Sequence, residues 1–352
     1  MIGIDLFAGA GGMSLGAQLS GINVVTCVDN DKHAILTYSH NFKSGKNVCK
    51  DIRDVTCDDL EIPRRNEPLI VFGGPPCQGF STSNQKTRNA QNPHNWLFLE
   101  YIRIIREVRP DWLVFENVKG ILETEKGLFL REVLKALSDI GYHLSWKILN
   151  AVNYGVPQNR SRIFVVGCLE NKNFVFPSES SAKPIVVDDA LSDLPELENG
   201  SNFDTLPYKS KPNSKYAEEM RGEKVNTANH LVTKNADHIT ARYKHIPQGG
   251  NWLNIPDEQM QNYKDHTRCH TGIYYRLKST SPSVVIGNYR KNMLIHPFQD
   301  RGLSVREAAR LQSFPDWFEF KGSIGFQQQQ VGNSVPSLLA KAVFGKIIEI
   351  AL

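Results

Sequence analysis

The stretch with the clearest chemical potential is Gly73-Gly74-Pro75-Pro76-Cys77-Gln78-Gly79-Phe80-Ser81, which follows the apolar run Leu69-Ile70-Val71-Phe72. The apolar run reads as a buried strand. Cys77 is then held on a stiff Pro-Pro turn at a strand end, ahead of a polar loop over 81–95. Ligands of open α/β sheets sit just outside the carboxyl ends of the strands, so a thiol placed there is presented for reaction. A lone cysteine is more often a small buried hydrophobe. The glycine-rich and polar residues that follow weigh against burial here.

Three more residues could serve such a nucleophile. Glu116 closes the hydrophobic run Trp112-Leu113-Val114-Phe115, and a carboxylate there is costly unless it is paired or used. Arg160 and Arg162 lead into Ile163-Phe164-Val165-Val166-Gly167. Residues two apart in a strand share a face, so the two arginines suit an anionic or carbonyl-bearing ligand.

A second site is expected at the N-terminus. The run Ile2-Gly3-Ile4-Asp5-Leu6-Phe7 reads as a strand, Ala8-Gly9-Ala10-Gly11-Gly12 as a turn, and the following residues as a helix to about Leu19. Glycines allow the tight turn and close approach of a ligand to the backbone. The third glycine of a dinucleotide fingerprint is missing, because position 14 is Ser. Asp29 ends the next strand, 18 residues past Gly11, about where a ribose-binding carboxylate stands in nucleotide folds. A nucleoside-containing cofactor without phosphates is the expectation. Asp51 and Ile52, after a short strand near Val48, could hold an adenine edge and face; taken alone they are simply a strand end.

The elements that must position these groups alternate. Helical spacing is expected over 31–42, over 97–108 with Pro110 as the stop, and over 127–140, with strands at 112–118, 142–149 and 163–167. After Leu169 the alternation stops, and Pro, Ser, Asn and Gly thicken to about Gly302. Strand candidates there are 273–277 and 283–286. Ser304-Val305-Arg306-Glu307 is a capping box, and Gly332-Asn333-Ser334-Val335-Pro336 opens a final helix. The fold class expected is α/β, with the large domain in two parts, 1–183 and 303–352, and a smaller loop-rich domain over 184–302.

Composition narrows the function. The chain has 352 residues, 40% hydrophobic and 22% charged, with no apolar run of the roughly 18 residues a membrane span needs. Six cysteines include no Cys-x-x-Cys pair, so a zinc site or disulfide framework is not expected and a reducing cytoplasm fits. Residues 201–301 hold 15 Lys and Arg against 9 Asp and Glu, while the net charge of the whole chain is +4. A basic segment on a near-neutral body suggests a polyanion-binding module; a solvated insertion accounts for charge alone nearly as well.

Taken together the motifs resemble the DNA cytosine-5 methyltransferase family of bacterial restriction–modification systems. The resemblance rests on the Asp5 to Gly12 turn, Gly74-Pro75-Pro76-Cys77-Gln78-Gly79-Phe80-Ser81, Glu116-Asn117-Val118, Gln158-x-Arg160-x-Arg162, Arg306-Glu307-Ala308-Ala309-Arg310-Leu311-Gln312-Ser313-Phe314-Pro315 and Gly332-Asn333-Ser334-Val335-Pro336, in that order. It implies a Rossmann-like sheet with helices on both faces, S-adenosylmethionine as cofactor, and methylation of C5 of a cytosine flipped out of double-stranded DNA. It implies Cys77 as nucleophile, Glu116 at N3 and the exocyclic amine, Arg162 at O2 and Arg160 in support. Phe7, Ala8, Gly9, Gly11, Gly12, Asp29, Asn30, Asp51, Ile52, Leu97, Asn333 and Val335 fall to the cofactor pocket. By position, 184–302 matches the target-recognition domain, and the 81–95 loop is expected to close over the extruded base. No metal is implied. A monomer is expected, and a cognate restriction endonuclease is a partner in the same system without direct contact.

Rival readings are weaker. A zinc nucleobase deaminase needs His-x-Glu and Pro-Cys-x-x-Cys; no histidine here has Glu two residues on, and position 80 is Phe. An amino-methylating DNA enzyme carries an aromatic where Cys77 stands. A tRNA cytosine-5 methyltransferase shares the catalytic motifs, but its Cys-Phe-Thr marker is missing, since Cys269 is followed by His270 and Thr271. A catalytically silent DNA-binding relative would not need Cys77, Glu116 and Arg162 together.

Overall fold

The structure, a computed structural model, describes residues 1–62, 67–76, 96–261, 272–287, 289–291 and 293–351. Cys77, the 81–95 loop, Arg268, Cys269, His270 and Asn288 lie outside the described residues. The chain forms two compact units, one of residues 1–154, 161–180 and 335–352, the other of 155–160 and 181–334.

The first unit is built on seven strands: β1 (Ile2–Leu6), β2 (Asn23–Asp29), β3 (Lys46–Cys49), β4 (Leu69–Gly73), β5 (Trp112–Val118), β6 (His143–Asn150) and β7 (Ser161–Cys168). Their order is β3-β2-β1-β4-β5-β7-β6, with β7 antiparallel to both neighbours and the other pairs parallel. The order reverses between β1 and β4, where Leu6 lies beside Gly73. The glycine turn after β1 and the 74–76 turn after β4 therefore leave the sheet side by side, at the switch point where such sheets bind ligands.

Helices α1 (Gly12–Gln18), α2 (Lys32–Asn41), α3 (Phe98–Val108) and α4 (Leu128–Ile140), with a C-terminal helix Ser337–Ala351, accompany the sheet. Alternate strand residues explain why both faces are covered. Leu69, Val71, Leu113, Phe115, Ile163 and Val165 pack with Tyr101, Ile105, Phe129 and Val133 of α3 and α4. Phe72, pointing the other way, stacks edge-on against Phe344 of the C-terminal helix, with ring centres 4.8 Å apart. Burial on both faces is why β4 and β5 read as unbroken apolar runs. Helix α3 ends at Val108 because Arg109, at φ 47°, precedes a proline, which bars it from helical geometry.

The second unit holds α5 (Val187–Leu191), β8 (Asn202–Pro207), α6 (Lys215–Arg221), β9 (Asn226–Leu231), α7 (Asp237–Tyr243), α8 (Val305–Leu311) and α9 (Ile324–Asn333), with β8 and β9 antiparallel. The strand candidates 273–277 and 283–286 make only single bridges, Arg276 to Ile295 and Gln158 to Ser283. Their peptide groups bond instead to side chains and to turns.

Residues 303–334 group with this unit and not with the sheet, which differs from the boundary expected at 302. Charge burial supplies the reason. Arg306 of α8 donates to the carbonyls of Ala228, Pro315 and Phe318. Arg310 pairs with Asp193 at 2.8 Å and Asp316 at 2.6 Å, all three fully buried. Breaking such a pair strands a buried charge, so α8 is held among residues 190–230. Among the described residues no helix is long and apolar enough to cross a membrane.

Candidate active site

Register between β5 and β7 builds the first cluster. Glu116 lies opposite Phe164 and Val118 opposite Arg162, so Glu116 and Arg162 are diagonal neighbours on one face. Arg162 Nε stands 3.0 Å from Glu116 Oε1, with the side chains 12% and 9% exposed. Burial pulls the Arg162 guanidinium below its ordinary value, and the Glu116 charge opposes that.

The strand end that leads to Cys77 is pinned against this pair. A Cβ on Gly74 would stand 2.6 Å from Glu116 Oε2, so only glycine leaves the carboxylate where it is. Asn117 Nδ2 donates to the Pro75 carbonyl at 3.1 Å, tying the turn to β5 from one residue further on. Neither contact is legible from the residues alone, since both depend on β4 and β5 being neighbours.

Arg160 is placed differently from the expectation. The strand begins at Ser161, so the period-two argument does not reach Arg160. Its guanidinium, 1% exposed, donates to the carbonyls of Ile286 at 3.3 Å and of Gly332 and Ser334 at 3.0 Å each. Arg160 groups with the second unit and Arg162 with the first.

The glycine turn is held by Asp29. Gly9 N donates to Asp29 Oδ2 and Asp31 N to Asp29 Oδ1, both at 2.8 Å. Burial raises the Asp29 carboxyl, and those two N–H groups restrain the rise. Gly11 has φ 96° with the Tyr38 and Phe42 rings packed where a Cβ would go, so that position must be glycine. Beneath the turn Ser14 Oγ donates to Asp5 Oδ2 at 2.6 Å and bonds the Tyr38 hydroxyl at 2.8 Å. Burial pushes the Asp5 carboxyl up to about 8 against the pull of the Ser14 bond, with Asp29 adding to the rise. Ser14, notable in the sequence only for not being glycine, is thus the partner of a buried acid.

The remaining cofactor candidates are mixed in setting. Ile52 is buried, with Phe7 and Leu97 packed partly exposed against the same core, and Phe7 adopts φ 60°. Asp51 caps the short helix Ile52–Asp54 and receives Arg53 Nη2 at 2.6 Å, a partner that sequence reading missed. Asn30 and Asn333 are exposed; Val335 is buried. Asn333 is the last residue of α9, in the second unit, while Val335 begins the chain's return to the first. Gly9 has open space on its Cβ side. The half-buried Asp29 carboxylate, an open glycine backbone, and the apolar edges of Phe7, Ile52 and Leu97 fit a nucleoside cofactor. Among the described residues no group of three His, Cys, Asp or Glu could hold a metal ion.

The model of the family described as C-5 cytosine-specific DNA methylase matches residues 1–349. The chain belongs to that family. This methylase is 33% identical to the Type II methyltransferase M.DdeI of Desulfomicrobium norvegicum, over 98% of its own length and 88% of the relative's. It is 35% identical to the Type II methyltransferase M1.HphI of Haemophilus parahaemolyticus, over 98% and 86%. Its fold matches a crystal structure described as a DNA modification methyltransferase encoded within an E. coli prophage, at TM-score 0.81 and 24% identity over 99% of each chain. The methylase is accordingly a DNA (cytosine-5-)-methyltransferase with the mostly parallel sheet of S-adenosylmethionine-dependent methyltransferases.

Proposed function

We propose that this methylase moves a methyl group from S-adenosylmethionine to C5 of a specific cytosine in double-stranded DNA, with the base turned out of the helix and Cys77 as nucleophile. The observation that carries the reading is the buried Glu116–Arg162 pair set against the 74–76 turn, one residue before Cys77.

Cytosine C5 is too weak a nucleophile to take a methyl group unaided. The Cys77 thiolate adds at C6, breaking the ring's aromaticity and making C5 enamine-like. When bound, S-adenosylmethionine supplies an electrophilic methyl group. Methylation of C5 breaks the methyl–sulfur bond of the cofactor, which departs as S-adenosylhomocysteine; solvent water then accepts the C5 proton as the C6–S bond breaks and the thiolate is restored. Charge builds on the ring during the addition. Glu116 carries a proton toward N3, and Arg162 sets fixed positive charge at O2, each such group contributing roughly 10²–10⁴-fold. Their mutual pairing orients both before substrate arrives. Asp29 takes the ribose hydroxyls, the turn at Gly9, Gly11 and Gly12 admits the ligand to the backbone, and Phe7, Ile52 and Leu97 flank the adenine. Extruding the base costs a few kcal/mol. The Type II relatives suggest that the product is host DNA protected from a cognate endonuclease.

Tritium transfer from labelled S-adenosylmethionine tests the reading, with Cys77→Ser as control. Label on duplex DNA, abolished by the substitution, is the expected result. Label on tRNA alone would overturn the choice of nucleic acid, and label on neither would leave only a binding protein.

A further inference from the structure

Strand order says which part of the sheet the middle of the cofactor must cross. The order β2-β1-β4-β5 puts β1 and β4 between Asp29, at the end of β2, and Glu116, near the end of β5. With the ribose at Asp29 and the target base at Glu116, the sulfur that carries the methyl group lies over the strand ends between them. The acid nearest the end of β1 is Asp5, one residue before the last of that strand.

Asp5 is a poor place for a charge. Its neighbours across the sheet are Cys27 of β2 and Phe72 of β4, and Phe72 is stacked on Phe344 of the C-terminal helix. Asp5, Ser14, Cys27, Tyr38 and Phe72 are all at most 2% exposed. Ser14, from the first turn of α1, donates to Asp5 Oδ2 and is itself bonded to the Tyr38 hydroxyl of α2. The titratable groups that face Asp5 are Tyr38 of α2 and Cys27 and Asp29 of β2. Burial pushes the Cys27 thiol and the Tyr38 phenol up, with Asp5 adding to both, so neither ionises near neutral pH. Burial likewise raises the Asp5 carboxyl to about 8 against the Ser14 bond, with Asp29 adding to the rise. These neighbours are an acid, a thiol and a phenol, and none of them brings positive charge to the Asp5 carboxyl.

A cation arriving over β1 would change that balance. S-adenosylmethionine carries a sulfonium charge, and S-adenosylhomocysteine, left after methyl transfer, carries a neutral thioether. Opposite charge a few ångströms away favours a carboxylate over its acid by roughly 10- to 1,000-fold. Asp29 faces ribose hydroxyls common to both ligands, so its own response cancels when the two are compared.

We propose that Asp5 is a specificity-determining residue that tells the cationic methyl donor from its neutral product, giving its proton to solvent when the donor binds and taking one back when the thioether remains. The proposal rests on the cofactor reading given above and adds the means by which donor and product are exchanged. Ser14 and Tyr38 act through Asp5 by holding its carboxyl in place. Below pH 8 the free protein keeps the Asp5 proton, so donor binding must displace it and the advantage of donor over product shrinks as pH falls. Above pH 8 no proton is displaced and the advantage is constant.

The test is calorimetric titration of the full chain with S-adenosylmethionine and with S-adenosylhomocysteine from pH 6 to 9, in two buffers of different ionisation heat, which counts protons without reference to activity. Donor binding near pH 7 should release more protons than product binding. The donor-to-product affinity ratio should rise by about tenfold or more from pH 6 to 8 and then level off. Asp5→Asn should abolish the extra release and flatten the ratio. The ligands' own amino groups titrate near this range, and the variant subtracts them because they are the same in both proteins. Ser14→Ala removes a bond that favours the carboxylate, so the rise in the ratio should move to higher pH. Equal proton release by the two ligands in wild type overturns the proposal, as does a pH-dependent ratio that persists in Asp5→Asn or a rise that stays in place in Ser14→Ala. Firm binding of both ligands with equal release fails this proposal alone; a wild-type chain that binds neither fails the cofactor reading and this proposal with it.

Discussion

Gly74→Ala isolates the geometry of the active site from its chemistry, because it removes no functional group. The added Cβ would lie 2.6 Å from Glu116 Oε2, 3.7 Å from the Glu116 carbonyl and 3.8 Å from its Cδ. The last two are ordinary contacts, so the conflict is with one carboxylate oxygen. Relief to about 3.4 Å moves that oxygen by roughly 0.8 Å, and a misplacement of about 1 Å costs on the order of 10²-fold in rate. That is about 2.7 kcal/mol of transition-state stabilisation. The carboxylate end of a side chain moves more easily than backbone, so the melting temperature should change little. The neighbouring Gly73→Ala supplies the contrast, because its Cβ would run into the Leu6 carbonyl across the β1–β4 pairing and should damage the fold. Single-turnover tritium transfer at saturating DNA, beside a thermal melt, measures both. Wild-type turnover in Gly74→Ala would refute the placing of Glu116 against the turn, and so would a loss of activity that merely tracked a loss of stability.

Other outcomes follow from the same packing and charge burial. Arg162→Ala leaves Glu116 buried beside a gap and should lower kcat by about 10²–10³-fold, with duplex binding by gel shift within a few-fold of wild type. Arg310→Met strands Asp193 and Asp316 and should cost about 3–5 kcal/mol in urea unfolding. Burial holds His230 and His296 down at about 4, with Arg306 beside the first and Arg301 beside the second lowering them further while Glu307 pulls the other way. The unfolded chain therefore binds more protons between their ordinary value and about 4, so stability falls with falling pH across that window. Melts of a His230→Gln, His296→Gln double variant should be flatter there, and an unaltered slope would contradict the assignment. Asp5 behaves oppositely: with its carboxyl raised to about 8, stability is lost as pH climbs through that value. Asp5→Asn, which still accepts from Ser14, should be more stable than wild type at pH 9, and equal melting would count against a buried neutral acid.

What the sequence determined by itself was the local chemistry of each piece. Apolar runs that read as buried strands, helical spacing over 97–108 and 127–140, and glycine at position 11 are properties of a few neighbouring residues, and the structure shows them near where spacing put them. The order of motifs was enough to reach the family, because each motif is contiguous. Relations between strands were not legible. The pairing of Glu116 with Arg162 needs the antiparallel register of β5 and β7, and the pressing of Gly74 on Glu116 needs β4 beside β5. Arg160 shows the limit most plainly: period two along one strand suggested a partner for Arg162, and tertiary contacts gave it the carbonyls of Ile286, Gly332 and Ser334 instead. The same holds for α8, whose capping box was readable while the buried Asp193 and Asp316 that fix its arginine were not. A side chain's local conformation is set by residues within a turn of it, but its partner is set by whichever distant backbone the packing brings alongside.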